Sequence, residues 1–279
     1  MALKLMYITN DPQIAQIAET AGVDRIFVDL EYIGKSDRQG KMDTVQSNHT
    51  LEDVKGISDA ITTAELLVRI NPIHDATDEY CSTEEEIDVA IKNGADILML
   101  PFFKTVCEVK RFLSAVRGRV KTMLLIETPQ AVEIIDEILE LGGIDNIHIG
   151  LNDLSLGYGK SFMFELLSDG TVERLCNKIR EKGIPYGFGG IASLGKGVIP
   201  AEMIIREHYR LGSTCAILSR SFCNVNKISH MGIISSTFVN GIRELREFEA
   251  ECEKHIGYFM NNKWELEKAI KSVANEETK

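Results

Sequence analysis

The residues best equipped for chemistry in this 279-residue chain are acids and arginines standing just after short apolar runs. "FVDLEY" presents Asp29 and Glu31, "VRIN" carries Arg69, "LLIE" ends on Glu127, "IGLND" on Asp153 and "AILSR" on Arg220. Acids are poor strand formers and costly to bury unpaired, so folding alone does not explain them there. A carboxylate set with no histidine or cysteine array suits a hard divalent cation, Mg²⁺ or Mn²⁺, which prefers oxygen ligands. Glu127 and Asp153 follow successive apolar runs, so both can reach one ion and leave positions open for water and substrate. Arg69 beside them would stabilise an anionic oxygen that develops during reaction.

The elements that must position these groups alternate regularly. Apolar runs at Leu3–Ile8, Ile26–Leu30, Leu66–Ile70, Ile97–Leu100, Met123–Ile126, Ile147–Ile149, Tyr186–Phe188 and Ala216–Leu218 are too short for helices. They lack the alternation of a half-exposed strand, as expected for strands covered on both faces. Between them lie amphipathic segments with helix signals. "TLEDVKGISDAI" places Thr50 and Asp53 in capping-box spacing, "STEEEIDVAIKNG" runs from Ser82 to Gly94, and "PQAVEIIDEILELGG" ends on a glycine pair. Eight strand–helix units predict a parallel sheet closed as a (β/α)₈ barrel of residues 1–222. An open doubly wound sheet is the alternative, but no GxGxxG follows the first strand. Barrel sites are built at the C-terminal strand ends, so Asp29, Glu31, Arg69, Glu127, Asp153 and Arg220 converge on one rim. From about Cys223 the sequence becomes charge-rich and helical, and residues 223–279 read as an appended helical extension.

Composition narrows the function. A formal net charge of −11 repels phosphate backbones and argues against a nucleic-acid role. No apolar run approaches the roughly 20 residues of a membrane span, and "MALKLMYITNDPQ" lacks the features of a signal peptide. Six scattered cysteines without a CxxC pair suit reduced thiols and a cytoplasmic protein.

Segment 124–159, "LLIETPQAVEIIDEILELGGIDNIHIGLNDLSLGYG", resembles the metal-binding core of the HpcH/HpaI aldolase and citrate lyase family. "AGVDRIFVDLE", "VRIN" and "NGADILMLPFFKT" resemble its other core segments in the same order, over roughly residues 5–220. The resemblance implies a barrel whose divalent metal chelates a 2-keto acid or related carboxylate, with carbon–carbon bonds made or broken through an enolate. By position, Glu127 and Asp153 match the metal carboxylates, Arg69 the arginine at the enolate oxygen, and Asp29 and Glu31 the acidic pair near the metal waters. The amides of Gly150, Leu151, Asn152 and Asp153 match the segment holding the substrate carboxylate. A homo-oligomer is also implied.

Two positions depart from the family. The keto-acid aldolases carry a histidine, the proposed base, where this chain has Tyr32, and glutamine where it has Leu125. Citryl- and malyl-CoA-type relatives lack that histidine but usually carry aspartate at the position of Tyr32. His74, after Arg69 on the catalytic face, is a candidate replacement base, while His148 reads as a core histidine. His49, His208, His230 and His255 carry no readable signal. The long segment after Tyr32 offers Lys35, Arg38 and Lys41 to an anionic substrate tail. "GFGGIASLGKG", with Arg220, is a candidate phosphate-binding loop. The expected activity is a metal-dependent aldolase or lyase. A CoA-thioester lyase or hydrolase, and a degenerate barrel that only binds a keto or sugar acid, are the alternatives.

Overall fold

The computed structural model describes residues 2–34, 48–225, 227–228, 230–254 and 257–277. Lys35, Arg38, Lys41 and His255 lie outside the described residues. Eight parallel strands, β1 (Lys4–Ile8), β2 (Arg25–Asp29), β3 (Glu65–Arg69), β4 (Ile97–Leu100), β5 (Lys121–Ile126), β6 (Asn146–Ile149), β7 (Tyr186–Ile191) and β8 (Cys215–Leu218), close into a barrel in chain order. Each corresponds to one of the apolar runs.

The helices between them are α1 (Pro12–Thr20), α2 (Leu51–Ala60), α3 (Thr83–Lys92), α4 (Val106–Val116), α5 (Pro129–Glu133), α6 (Ile135–Leu139), α7 (Leu151–Gly157), α8 (Glu165–Ser168), α9 (Thr171–Glu181) and α10 (Ala201–Leu211). Their starts follow the local chemistry. Thr50, Ser82 and Thr105 each accept from the backbone three residues on, while the acid there returns the bond. Asp11 caps α1 and Thr128 caps α5, each with proline at the helix start.

Two apolar layers form. The strands' outer faces and the helices make one large cluster, and Met6, Phe27, Leu67, Ile97, Met99, Met123, Leu125 and Cys215 fill the barrel interior. Below this plug Arg25 donates to Glu65 at 2.9 Å and Asn146 at 3.2 Å; burial pushes the Glu65 carboxyl up, but Lys121 and Arg25 outweigh it and hold it down to about 2.

Beyond β8 come α11 (Met231–Lys254) and α12 (Tyr258–Glu277). The expected boundary at residue 222 falls just before α11, yet α11 packs between α10 and α1, as the eighth helix of the ring. It buries Ile234, Phe238, Ile242 and Leu245, with Phe238 edge-on to Tyr7 of β1 at 4.8 Å. Its charges also point inward: Arg246 donates to the Leu3 carbonyl, and Glu249 accepts the Leu3 N–H at 2.8 Å. α12 lies outside, against α8 and α10.

Two buried histidines set an acid limit on this fold. His148 Nε2 donates to the Gly189 carbonyl (3.1 Å), and His208 stacks on Phe188 with ring centroids 3.9 Å apart. Burial foremost lowers His148 from 6.5 to about 4 and His208 to about 3, so both are neutral in the native state. The unfolded chain takes up these protons first. Stability is therefore full above pH 6.5 and drains as the pH falls towards 4, by about 2 kcal/mol per ring at pH 5. Urea midpoints at pH 7 and pH 5 should show this, and His148→Gln should shrink the difference. A midpoint unchanged between these pH values in the wild type would contradict it.

Candidate active site

The last residues of β2 and β3 are direct partners in the sheet, Asp29 beside Arg69. The Arg69 guanidinium forks onto Asp29, Nε to Oδ1 and Nη2 to Oδ2, both at 2.8 Å, and Nη1 lies 3.3 Å from Glu31 Oε2. Asp29 is 2% exposed and Glu31 1%, so this is a buried ion cluster. Burial works hardest against the charged guanidinium, but Asp29, Glu31 and the more distant Glu127 outweigh it and raise Arg69 further. The fork onto Asp29 uses two of its five N–H groups, and the contact to Glu31 is an ion pair. The ion-pair and the substrate-facing roles of Arg69 are thus compatible.

The segment after Asp29 is held by His49, which carries no readable signal in the sequence, and by Asn71, the last residue of "VRIN". The Asp29 N–H donates to His49 Nδ1 at 3.0 Å, which requires the imidazole to carry its proton on Nε2. The N–H groups of Tyr32 and Ile33 both donate to Asn71 Oδ1, at 2.9 and 3.0 Å. Asn71 in turn donates to Glu86 on α3: its Nδ2 lies 2.8 Å from Oε1.

Across the barrel mouth, Glu127 and Asp153 line one cavity of about 350 Å³ with Phe102, Lys104, Gln130 and Leu156. Glu127 Oε1 accepts the Phe102 N–H at 2.9 Å. Phe102 has φ of +48°, a left-handed backbone rare outside glycine, and such strain concentrates at functional sites. The neighbouring Lys104 ammonium sits 4.8 Å from the Phe102 ring centroid. A larger cavity, about 510 Å³ beside Arg117, Lys121 and Gly143, opens at the opposite end of the barrel. Barrel chemistry belongs to the C-terminal face, so the smaller cavity is the candidate site.

Among the described residues no group of three or more His, Cys, Asp or Glu could hold a metal ion by itself. Mg²⁺ commonly takes only one or two protein carboxylates and completes its shell with water and substrate, and the pair Glu127 and Asp153 fits that pattern. Gly150 leaves the space this needs: a Cβ there would lie 2.9 Å from Glu127 Cβ and 3.0 Å from Oε2. Gly150→Ala should therefore displace the Glu127 carboxylate and weaken Mn²⁺ binding about tenfold, read by calorimetry. Unchanged affinity would show that Glu127 is not held against residue 150.

The other candidates spread more widely. Tyr32 is 55% exposed, edge-on to Tyr80 at 6.4 Å, and burial together with Glu86 pushes its hydroxyl above the ordinary phenol value. His74 is turned towards main-chain carbonyls, Nδ1 2.7 Å from Pro72 O and Nε2 2.8 Å from Cys81 O, which suits a loop staple better than a base. Leu151 is buried, Asn152 reaches Asp153 Oδ1 only at 3.4 Å, and Asp153 is 8% exposed in the first turn of α7. Arg220 is exposed just after β8 and does not line the cavity. The β7 glycines have packing reasons: a Cβ on Gly187 would meet Cys215 O at 2.1 Å, and one on Gly189, at φ +50°, would meet Leu151 at 2.7 Å.

A closed eight-stranded barrel with buried acids and an arginine at its C-terminal face places the chain among the (β/α)₈ enzymes. The family model HpcH/HpaI aldolase/citrate lyase matches residues 4–184, and the chain belongs to that family, whose enzymes are of the carbon–carbon lyase type. A search of curated proteins finds no match. Among solved structures, the HpcH/HpaI aldolase from Desulfitobacterium hafniense DCB-2 superposes with TM-score 0.58 at 17% identity, covering 88% of this chain and 93% of that one. An HpcH/HpaI aldolase/citrate lyase family protein from Burkholderia cenocepacia J2315 gives 0.60 at 15%, covering 78% and 87%. Citrate synthase SbnG gives 0.58 at 15%, covering 78% and 85%. At these identities the likeness establishes the fold.

Proposed function

We propose that this protein is a divalent-metal-dependent carbon–carbon lyase acting on a 2-keto or hydroxy acid. The observation that carries the proposal is the pairing of Glu127 and Asp153 on one cavity, with the largely buried Arg69, outside the cavity lining, close enough to Glu127 for their charges to attract. Mg²⁺ or Mn²⁺ held by Glu127 and Asp153 would supply Lewis-acid polarisation of the substrate carbonyl. The amides of Gly150–Asp153 receive the substrate carboxylate. Arg69 offers N–H groups that the fork onto Asp29 does not use to the negative charge that develops on the keto oxygen as the bond breaks. Asp29 and Glu31 hold the guanidinium in place, and a water ordered by them carries the proton. Tyr32 stands on the rim, where it contacts the departing half of the substrate.

The test is a substrate screen, CoA thioesters included, for released pyruvate, acetate or acetyl-CoA, with and without EDTA. Metal-dependent pyruvate release supports the keto-acid reading. Release of acetyl-CoA from a CoA-thioester substrate would instead favour the citryl- or malyl-CoA-type alternative, and release insensitive to EDTA would overturn the metal.

A cytoplasmic homo-oligomer completes the proposal. Met231, Ile233 and Val239 on α11, and Tyr258, Met260 and Trp264 on α12, are exposed apolar residues of the kind that subunit contacts cover. Among the described residues no helix is long and apolar enough to cross a membrane. Light scattering should give a multiple of the chain mass, and a monomer at micromolar concentration would contradict it.

A further inference from the structure

Glu86 is 4% exposed, and among the described residues its hydrogen bonds are to Asn71 rather than to a cation. Burying a carboxylate against neutral donors is costly, and burial pushes the Glu86 carboxyl above its ordinary value. The start of α3 does not require it, because Glu85 closes the capping box with Ser82 and Glu84 pairs with Arg111. What Glu86 does determine is the orientation of one amide. An asparagine side chain can present either its oxygen or its NH₂ to a neighbour. Glu86 accepts only, so it draws Asn71 Nδ2 and the Asn71 backbone N–H towards itself, the latter at 3.2 Å from both carboxylate oxygens. Asn71 Oδ1 is thereby aimed at the N–H groups of Tyr32 and Ile33. Arg69 lies two residues before Asn71, so one strand end holds both the side chains of Asp29 and Glu31 and the backbone that follows them.

We propose that Asn71 and Glu86 are a positioning pair: Glu86 fixes the Asn71 amide, and Asn71 fixes the turn that sets Glu31 and Tyr32 at the rim. This deepens the lyase reading and rests on it for its catalytic consequence. Neither residue touches the reacting atoms. They act through Glu31, which must stay within reach of Arg69.

Three variants test the pair: Asn71→Asp, Glu86→Gln and the two combined. Asn71→Asp keeps an acceptor for Tyr32 and Ile33 but sets two buried carboxylates face to face, and Glu86→Gln in that background restores a donor. With Mg²⁺ and pyruvate in D₂O, Asn71→Asp should slow methyl-proton exchange about 100-fold in kcat, the scale of a misplaced catalytic group. KM for pyruvate and Mn²⁺ affinity should stay within about threefold, and the double variant should recover at least about tenfold. Hydrogen-exchange mass spectrometry of the peptide covering residues 27–33 gives a readout independent of turnover. Protection there should fall in Asn71→Asp and return in the double variant. Unchanged protection, or a double variant no better than the single, would overturn the pair. A wild type that catalyses no exchange would count against the lyase reading, and the protection measurement would still decide the positioning claim.

Discussion

Glu127→Gln is expected to weaken Mn²⁺ binding by at least about 100-fold and to silence lyase turnover while leaving the protein folded. The amide is nearly isosteric with the carboxylate, and its oxygen can still accept the Phe102 N–H that Glu127 Oε1 accepts at 2.9 Å. The left-handed turn at Phe102 therefore keeps its partner. What is lost is the charge and the second hard oxygen, and even groups that only support a metal ligand typically cost 10–100-fold when removed. Glu127→Ala should bind metal no better but should also destabilise the fold, by about 1 kcal/mol, because the half-buried Phe102 N–H loses a hydrogen bond. Calorimetric Mn²⁺ titration and thermal unfolding separate the two effects. Asp153→Asn should match Glu127→Gln in metal affinity. Wild-type affinity in either variant would remove that carboxylate from the metal set.

Arg69→Ala is expected to be the most damaging change at the rim for stability and activity together. It strands Asp29 and Glu31, both almost fully buried, without the guanidinium that both contact. Removing one partner of a buried ion cluster typically costs about 3–5 kcal/mol. Loss of a positioned donor at a developing oxyanion costs about 100–1,000-fold in turnover on top of that. Arg69→Lys should recover part of the stability and little of the turnover, because an ammonium cannot fork onto Asp29 and still reach above the rim. Urea midpoints and turnover per folded molecule are the measurements. A midpoint for Arg69→Ala within experimental error of wild type would show that the cluster is not what holds the strand ends.

The barrel was legible because each strand contains a short apolar run and α1 to α5 announce their starts with a hydroxyl or acid cap. The same rhythm put Asp29, Glu31, Arg69, Glu127 and Asp153 at strand ends, and all lie at the C-terminal face in the structure. Other features were hidden for physical reasons. α11 reads as part of an appended helical extension because its pattern is rich in charge, yet it completes the helical ring, and Arg246 and Glu249 turn inward to clamp the Leu3 backbone. Glu86 is concealed in the run Glu84–Glu85–Glu86, where acids in a first helical turn need no further explanation. His49 lies far from Asp29 along the chain, and only the closed fold brings its Nδ1 to the Asp29 N–H. His74 has the right position for a base but turns both nitrogens to carbonyls, which spacing along a sequence does not reveal. The left-handed backbone at Phe102 has no signal in a residue type that rarely adopts it.

The most direct test of a metal-dependent lyase built on Glu127, Asp153 and Arg69 is the exchange of pyruvate methyl protons in D₂O, followed by NMR. With wild-type protein and Mg²⁺ the methyl signal should decay, and it should persist when EDTA is added or when Glu127→Gln replaces the wild type. A methyl signal that never decays, or one that decays equally in EDTA and in Glu127→Gln, would contradict the proposed chemistry.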